Sequence, residues 1–202
     1  MDRDLVLLVD MDGKLTKLAE KVVARYNERF EDTATVADVV TWQFAEIPRF
    51  RAKGLTDEIL NSWFLEPGFF RDLEPIPGGK EAVKLFHDEG HEIIIATSLS
   101  GPECAKDKML WLKEHLPFLT KNDVCMGHKK WKLKGDILID DSAYNILNYK
   151  QAWPEAKTAA IEYPYNKTLA GSVSLLAKDY TKYWEAWMRI AEFVAEVSEG
   201  KA

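Results

Sequence analysis

Apolar residues in this chain gather in short uninterrupted runs. Leu5-Val6-Leu7-Leu8-Val9 is the first, His91-Glu92-Ile93-Ile94-Ile95-Ala96 the second and Asp136-Ile137-Leu138-Ile139 the third, with Thr158-Ala159-Ala160-Ile161 as a candidate fourth. Runs of strand length without alternation predict strands buried on both faces, as in a parallel sheet. Between them the apolar spacing turns helical. Gly78-Gly79-Lys80 opens a stretch from Glu81 to Glu89 that carries Val83, Leu85 and Phe86 and is closed by Gly90, and Glu103 to His115 carries Met109, Leu110 and Leu112. Strands alternating with helices imply βαβ units, hence an α/β fold with a Rossmann-like parallel sheet flanked by helices. Residues 16 to 66 break the rhythm. Lys17–Phe30, Val39–Phe50 and Thr56–Phe64 read as helices with no clean strand among them, a helical insertion placed directly after the first strand. Lys178 to Val197 reads as an amphipathic helix docked on the sheet, with Tyr180, Trp184, Trp187, Ile190, Ala191 and Val194 near one face.

Composition narrows the function classes. The 202 residues suit one domain with a small insertion. Lys plus Arg number 27 and Asp plus Glu 33, a net charge of −6 that argues against a nucleic-acid polymer as partner. It argues equally against an anionic membrane surface, and no run of 18 apolar residues offers a membrane span. Cys104 and Cys125 fit neither a disulfide framework nor a zinc site. The start, MDRDLVLLVDMDG, has an acidic n-region and a short apolar run that ends in aspartates in place of the basic start and small-residue cleavage site of a signal peptide, so the expectation is a cytoplasmic protein with reduced thiols.

The chemistry lies where the strands end. Asp10-Met11-Asp12-Gly13 follows the first run. Residues i and i+2 of a strand share a face, so both carboxylates meet at the carboxyl end of a buried parallel strand, where open α/β sheets place their ligands. Paired acids repel unless a cation sits between them, and a hard, oxygen-seeking ion such as Mg²⁺ suits that role beside phosphate. Taken alone, the segment is equally compatible with a solvated turn. Asp140-Asp141-Ser142 places a second acid pair after the third run, and a cage shared by two strand ends accounts for both pairs better than a solvated turn and a helix cap do. Thr97-Ser98 ends the second run, where hydroxyls and main-chain N–H groups can hold a phosphate or simply cap the next helix. Gly127-His128-Lys129-Lys130 precedes the third run, and a lysine aimed into the site would balance phosphate and carboxylates; four of the eight residues from Gly127 to Lys134 are lysine, so composition alone does not choose one.

The ordered set Asp10-x-Asp12-Gly13, Thr97-Ser98, Lys130 and Asp140-Asp141 resembles the four motifs of the haloacid dehalogenase superfamily of phosphohydrolases. Within it the chain is most similar to the 5′(3′)-deoxyribonucleotidases, through Trp63, the string Phe69-Phe70-Arg71-Asp72-Leu73-Glu74-Pro75-Ile76-Pro77-Gly78, Ala96-Thr97-Ser98, and Leu138-Ile139-Asp140-Asp141 ten residues after Lys130. That spacing selects Lys130 over Lys129. The resemblance is specific over 5–16, 63–98 and 127–145. It implies that Asp10 attacks phosphorus to form an aspartyl-phosphate, and that Asp12 serves as general acid and base. It further implies Mg²⁺ held by Asp10, the Asp12 carbonyl and one of Asp140 or Asp141, with Thr97, Ser98 and Lys130 on the phosphoryl group. Residues 16–75 would form a small helical cap over a core made of 1–15 and 76–202, with Trp42, Phe44, Trp63, Phe69 and Phe70 as candidates to contact base and sugar, or else to pack in the core. The expected substrate is a small nucleotide, a deoxyribonucleoside 5′(3′)-monophosphate with pyrimidines preferred; a homodimer is compatible with this. A sugar phosphate handled by the same fold is the alternative, and a receiver-like signalling domain a remote one. Lys14 departs from the family pattern, which has a small or β-branched apolar residue at that position.

Overall fold

The computed structural model describes residues 3–201. Six strands form one sheet: β1 (Val6–Val9), β2 (Glu92–Thr97), β3 (Val124–Met126), β4 (Ile137–Ile139), β5 (Lys157–Ile161) and β6 (Leu175–Ala177), in the spatial order β3-β2-β1-β4-β5-β6. All pairings are parallel. Leu7, Leu8 and Val9 lie opposite Ile93, Ile94 and Ile95 on one side and Ile137, Leu138 and Ile139 on the other. The central strand is therefore shielded along both edges and on both faces, which is what its uninterrupted apolar run requires. From β1 the chain builds outward through β2 and β3, then crosses back to lay β4 on the other flank. The order thus reverses at β1, and the carboxyl ends of β2, β1 and β4 meet at that switch point.

The described residues form seven α-helices: α1 (Leu18–Phe30), α2 (Pro48–Ala52), α3 (Asp57–Phe64), α4 (Gly79–Asp88), α5 (Pro102–His115), α6 (Ala143–Ala152) and α7 (Tyr183–Ser198). In α1 the buried residues Leu18, Ala19, Val22, Val23 and Tyr26 follow the helical repeat, and Glu31 ends the helix in the left-handed conformation at φ 49°. Trp187, Ile190 and Val194 of α7 are fully buried, each burial being worth roughly 1.5–3 kcal/mol in removed apolar surface. The segment from Thr16 to Pro75 leaves and rejoins the core at adjacent points: Thr16 bridges Pro75, Ile76 N donates to Leu15 O at 2.8 Å, and Lys17 N donates to Glu74 O at 2.9 Å. Its apolar residues, among them Val22, Phe50, Leu60 and Trp63, are continuous with the core under Leu7, Val9 and Ile95.

Three sequence expectations need correction. Val39–Phe50 is not one helix: it is irregular except for a 3₁₀ turn at Phe44–Glu46, and α2 starts at Pro48. Ile47, preceding proline, is extended at ψ 121°, as the proline ring demands, and so marks a boundary. The last helix begins at Tyr183, not Lys178, because Asp179 adopts φ 68° and accepts a hydrogen bond from Thr181 N at 3.1 Å in a turn. The pattern also misses β3 and β6, each of three residues, and α6, in which Ile146 and Tyr149 are buried while Leu147 is exposed. Among the described residues no helix is long and apolar enough to cross a membrane, and Cys104 and Cys125 are unpaired.

Candidate active site

The loop after β1 is tied into a tight coil by its own main chain. Met11 O accepts from Leu15 N at 2.8 Å and from Thr16 N at 3.0 Å, and Gly13 N donates to Thr16 O at 2.9 Å. Gly13 has φ 71°, and a Cβ there would stand 2.6 Å from Asp141 Oδ2. Glycine is thus required for the turn and for the approach of the fourth strand's acid. These bonds leave the Asp12 carbonyl uncommitted.

Asp10, at the end of β1, is 6% exposed. Its Oδ1 accepts from Met11 N at 2.7 Å and meets Lys130 Nζ at 2.6 Å. Asp140 is fully buried and fully engaged: Oδ2 takes Lys130 Nζ at 2.9 Å and Asn145 Nδ2 at 3.0 Å, and Oδ1 takes Ser142 N at 2.7 Å. Asp141 Oδ2 accepts from Tyr165 OH at 2.6 Å and Trp42 Nε1 at 3.0 Å. Carboxylate oxygens of Asp10, Asp140 and Asp141 all lie within 4.8 Å of one another. Burial, opposed by Lys130 and reinforced by Asp140, Asp141 and Asp12, pushes the Asp10 carboxyl up to about 8. Burial raises that of Asp141 as well. Burial works against the Lys130 ammonium, but Asp10 and Asp140 outweigh it and hold its pKa above the ordinary lysine value. A crowded set of buried acids with outward oxygens on Asp10 and Asp141 matches the needs of a hard divalent cation.

Asp12 points elsewhere. Its Oδ2 accepts from Lys108 Nζ at 2.5 Å and its Oδ1 from Thr16 Oγ1 at 3.1 Å. Lys108, on α5 and 1% exposed, also donates to Thr97 Oγ1 at 2.8 Å and Ser98 O at 2.9 Å, and lies 5.0 Å from the Phe70 ring centre. The Asp12 side chain is therefore committed to a lysine and a threonine, and only its carbonyl is placed to serve a cation. Sequence reasoning missed Lys108. Its signal is a lysine at i+4 from Cys104 and i−3 from Trp111, on the buried face of the helix. Missed too were Tyr163, Tyr165 and Asn166 after β5, which fix Gly13 O, Asp141 Oδ2 and Asp141 O.

A cavity of about 290 Å³ opens over these groups, lined by Asp10, Asp12, Ser98, Lys130 and Asp141, with Trp42 and Tyr144 among its walls. Lys130 is buried while Lys129 is exposed. Thr97 is fully buried against Lys108 and does not line the cavity. Of the aromatic candidates, Trp42 lines it. Phe44, Trp63, Phe69 and Phe70 are at most 4% exposed and belong to the apolar core. A larger cavity of about 700 Å³ lies at the opposite, amino ends of the strands, and one of its acids, Asp136, is paired with Arg3 at 3.0 Å.

Solved structures with this architecture include a haloacid dehalogenase-like hydrolase from Burkholderia xenovorans LB400, with TM-score 0.58 and 13% identity over 92% of this chain and 98% of that one. A hydrolase from Pseudomonas syringae matches with TM-score 0.55 and 15% identity, over 95% of this chain and 99% of that one. Both likenesses concern the fold. The sequence is 33% identical over 146 residues to the human 5′(3′)-deoxyribonucleotidase, cytosolic type, covering 70% of this chain and 72% of the relative. It is 30% identical over 142 residues to the 5′(3′)-deoxyribonucleotidase of Clostridium acetobutylicum, covering 70% and 76%. The family model described as 5′ nucleotidase, deoxy (pyrimidine), cytosolic type C protein matches residues 4–178, a span that holds Asp10, Asp12, Lys108, Lys130, Asp140 and Asp141, and the chain belongs to that family.

Proposed function

We infer that the protein hydrolyses the phosphate monoester of deoxyribonucleoside 5′(3′)-monophosphates, pyrimidines preferred, with Asp10 as nucleophile. The observation that carries this reading is the pairing of Asp10 with Lys130 at 2.6 Å on the floor of a cavity at the carboxyl end of β1. A carboxylate there attacks phosphorus in line, giving an aspartyl-phosphate and the nucleoside. Lys130 and the Ser98 hydroxyl take the charge that spreads over the equatorial phosphoryl oxygens. Thr97, held by Lys108, fixes the end of β2 behind them. Asp12 gives its proton to the leaving oxygen, then takes one from the water that cleaves the acyl phosphate.

Mg²⁺ fits the donor set. Asp10, Asp141 and the Asp12 carbonyl would hold it, whereas Asp140, with both oxygens engaged, orients Lys130 and the start of α6. When bound, the ion neutralises the phosphoryl oxygens and the repulsion among the carboxylates. The base is received at the mouth, where Trp42 and the 64% exposed Tyr144 offer ring faces. The names of the relatives support the nucleotide assignment. The test is phosphate release from dUMP, dTMP, UMP and a sugar phosphate with and without Mg²⁺. Release from the deoxyribonucleotides first is expected, and preference for the sugar phosphate would overturn the substrate assignment.

A further inference from the structure

Three lysines are buried around the acids, and one of them makes no direct ion pair among the described residues. Lys130 touches Asp10 and Asp140, and Lys108 touches Asp12. Lys14 has no exposed surface. Its Nζ donates to Gly13 O at 3.2 Å and stands 5.0 Å from the centre of the Tyr163 ring. Tyr163 donates its hydroxyl to the same carbonyl at 2.9 Å and stacks on Tyr165 with ring centres 4.9 Å apart. Tyr165 in turn donates to Asp141 Oδ2. Trp187 Nε1 holds the Lys14 carbonyl at 3.1 Å. The amine thus lies between the Gly13 carbonyl and the face of Tyr163, on the residue next to Gly13, where a Cβ would stand 2.6 Å from Asp141 Oδ2. Burial works against the Lys14 ammonium and sets its pKa below the ordinary lysine value, with Asp141 the foremost of the acids that oppose this; burial likewise raises the Asp141 carboxyl, and Lys14 is the leading cation opposing that rise.

Charge counting gives this placement a consequence. With every group ionised, Asp10, Asp12, Asp140 and Asp141 against Lys14, Lys108 and Lys130 leave one net negative charge with Lys14 and two without it. One carbonyl and one ring face replace only part of the water that a buried ammonium gives up, so the neighbouring acids supply the rest of its stabilisation. The same fixed charge opposes a divalent ion arriving at Asp141, since both compete for one field.

We propose that Lys14 is a resident counter-cation behind the acidic triad, a positioning residue that stabilises the cation-free site and loosens its hold on Mg²⁺. This rests on the cation set inferred above. The test is calorimetric titration of cation-free protein with Mg²⁺, with thermal melts in chelator and in saturating Mg²⁺, for the unsubstituted protein, Lys14→Met and Lys14→Arg. Lys14→Met is expected to bind Mg²⁺ about tenfold more tightly, to melt lower in chelator and to gain more from Mg²⁺. Lys14→Arg keeps the charge and the unsubstituted behaviour. Equal or weaker affinity in Lys14→Met, with the same gain from Mg²⁺, overturns the proposal. Should Lys14→Met not fold, Lys14→Gln keeps a donor for Gly13 O without the charge; failure of both to fold in saturating Mg²⁺ assigns Lys14 to packing and overturns it as well. If the unsubstituted protein binds no Mg²⁺, the cation reading falls too, whereas binding that Lys14→Met leaves unchanged removes only the role of Lys14.

Discussion

Lys108 and Asp12 meet end to end, 96 residues apart in sequence, and the same ammonium holds the hydroxyl of Thr97 and the carbonyl of Ser98. One side chain of α5 thereby sets the carboxylate after β1 and the end of β2 in a single frame. The lysine is 1% exposed, so its charge is offset by these partners and not by water.

Removing that charge while keeping the bulk tests the frame. Lys108→Met is expected to lower kcat by about 100-fold or more, the range that a misplaced general acid forfeits. KM should change little, because the phosphoryl donors Lys130 and Ser98 remain. Stability should fall by about 1–3 kcal/mol, since Asp12 keeps partial access to water. Steady-state kinetics and denaturant unfolding measure the two effects separately. An unchanged kcat alongside lost stability would reduce Lys108 to a structural role.

Asp10→Asn is expected to abolish turnover and retain the fold, because an amide oxygen is a poor nucleophile for phosphorus. Asp12→Asn should bind substrate and turn over slowly, having lost proton transfer alone. Single-turnover measurement with acid quench distinguishes the steps: near-normal rates in Asp10→Asn would mean that water attacks directly.

The site was legible in the sequence where chain order places it. Each of β1, β2 and β4 is built on a buried apolar run with polar residues directly at its carboxyl end, so Asp10, Thr97, Asp140 and Asp141 stand out by position. Lys130 stood out only through its ten-residue spacing from Asp140. Lys108 and the Tyr163-Tyr165 pair did not, because a lysine inside a helix and tyrosines in a loop take their roles from the packing of distant segments. Trp42, Phe44, Trp63, Phe69 and Phe70 look alike in sequence. The irregular path of residues 39–47 brings Trp42 to the cavity and turns Phe44 into the core, where Trp63, Phe69 and Phe70 also pack. Strands β3 and β6 carry three residues each, too few for a periodic signal.

Chelation should abolish activity and added Mg²⁺ restore it. The reason is the crowding of Asp10, Asp140 and Asp141 within 4.8 Å, with only buried lysines to offset their charge. Mg²⁺ should also raise the melting temperature, as any ligand of the folded state does. Full activity in chelator would exclude the cation from the reaction.

Acid stability should depend on a pair far from the site. Asp32 accepts from Arg49 at 2.6 and 3.0 Å, from Thr33 N at 2.7 Å and from Tyr26 OH at 2.8 Å. These bonds, Arg49 foremost, hold its carboxyl well below the usual carboxylate range. A depressed folded-state pKa contributes stability above the unfolded value of about 3.9, and that contribution is lost as pH falls below it. Arg49→Met should therefore melt lower than the unsubstituted protein at pH 6, with the gap narrowing below about pH 4. A gap that stays constant across that window would place the effect of Arg49 in packing alone.

The sugar preference follows from what lines the cavity beyond the phosphoryl donors. Leu18, from the first turn of α1, and Trp42 form an apolar side of that lining, with His128, Ser142 and Asn145 as its polar members, and the sugar is expected against the apolar side. A ribose 2′-hydroxyl set against such a wall gives up water and gains no partner, at about 1–3 kcal/mol. That corresponds to about 5- to 150-fold in kcat/KM in favour of the deoxyribonucleotide. Comparing dUMP with UMP at matched concentrations measures it, and Leu18→Ser, which places a hydroxyl in the wall, should narrow the ratio by raising activity on UMP. Equal kcat/KM for dUMP and UMP in the unsubstituted protein would mean that the 2′ position faces solvent, and the deoxyribose selectivity would have to be abandoned while the phosphatase chemistry of Asp10 stood.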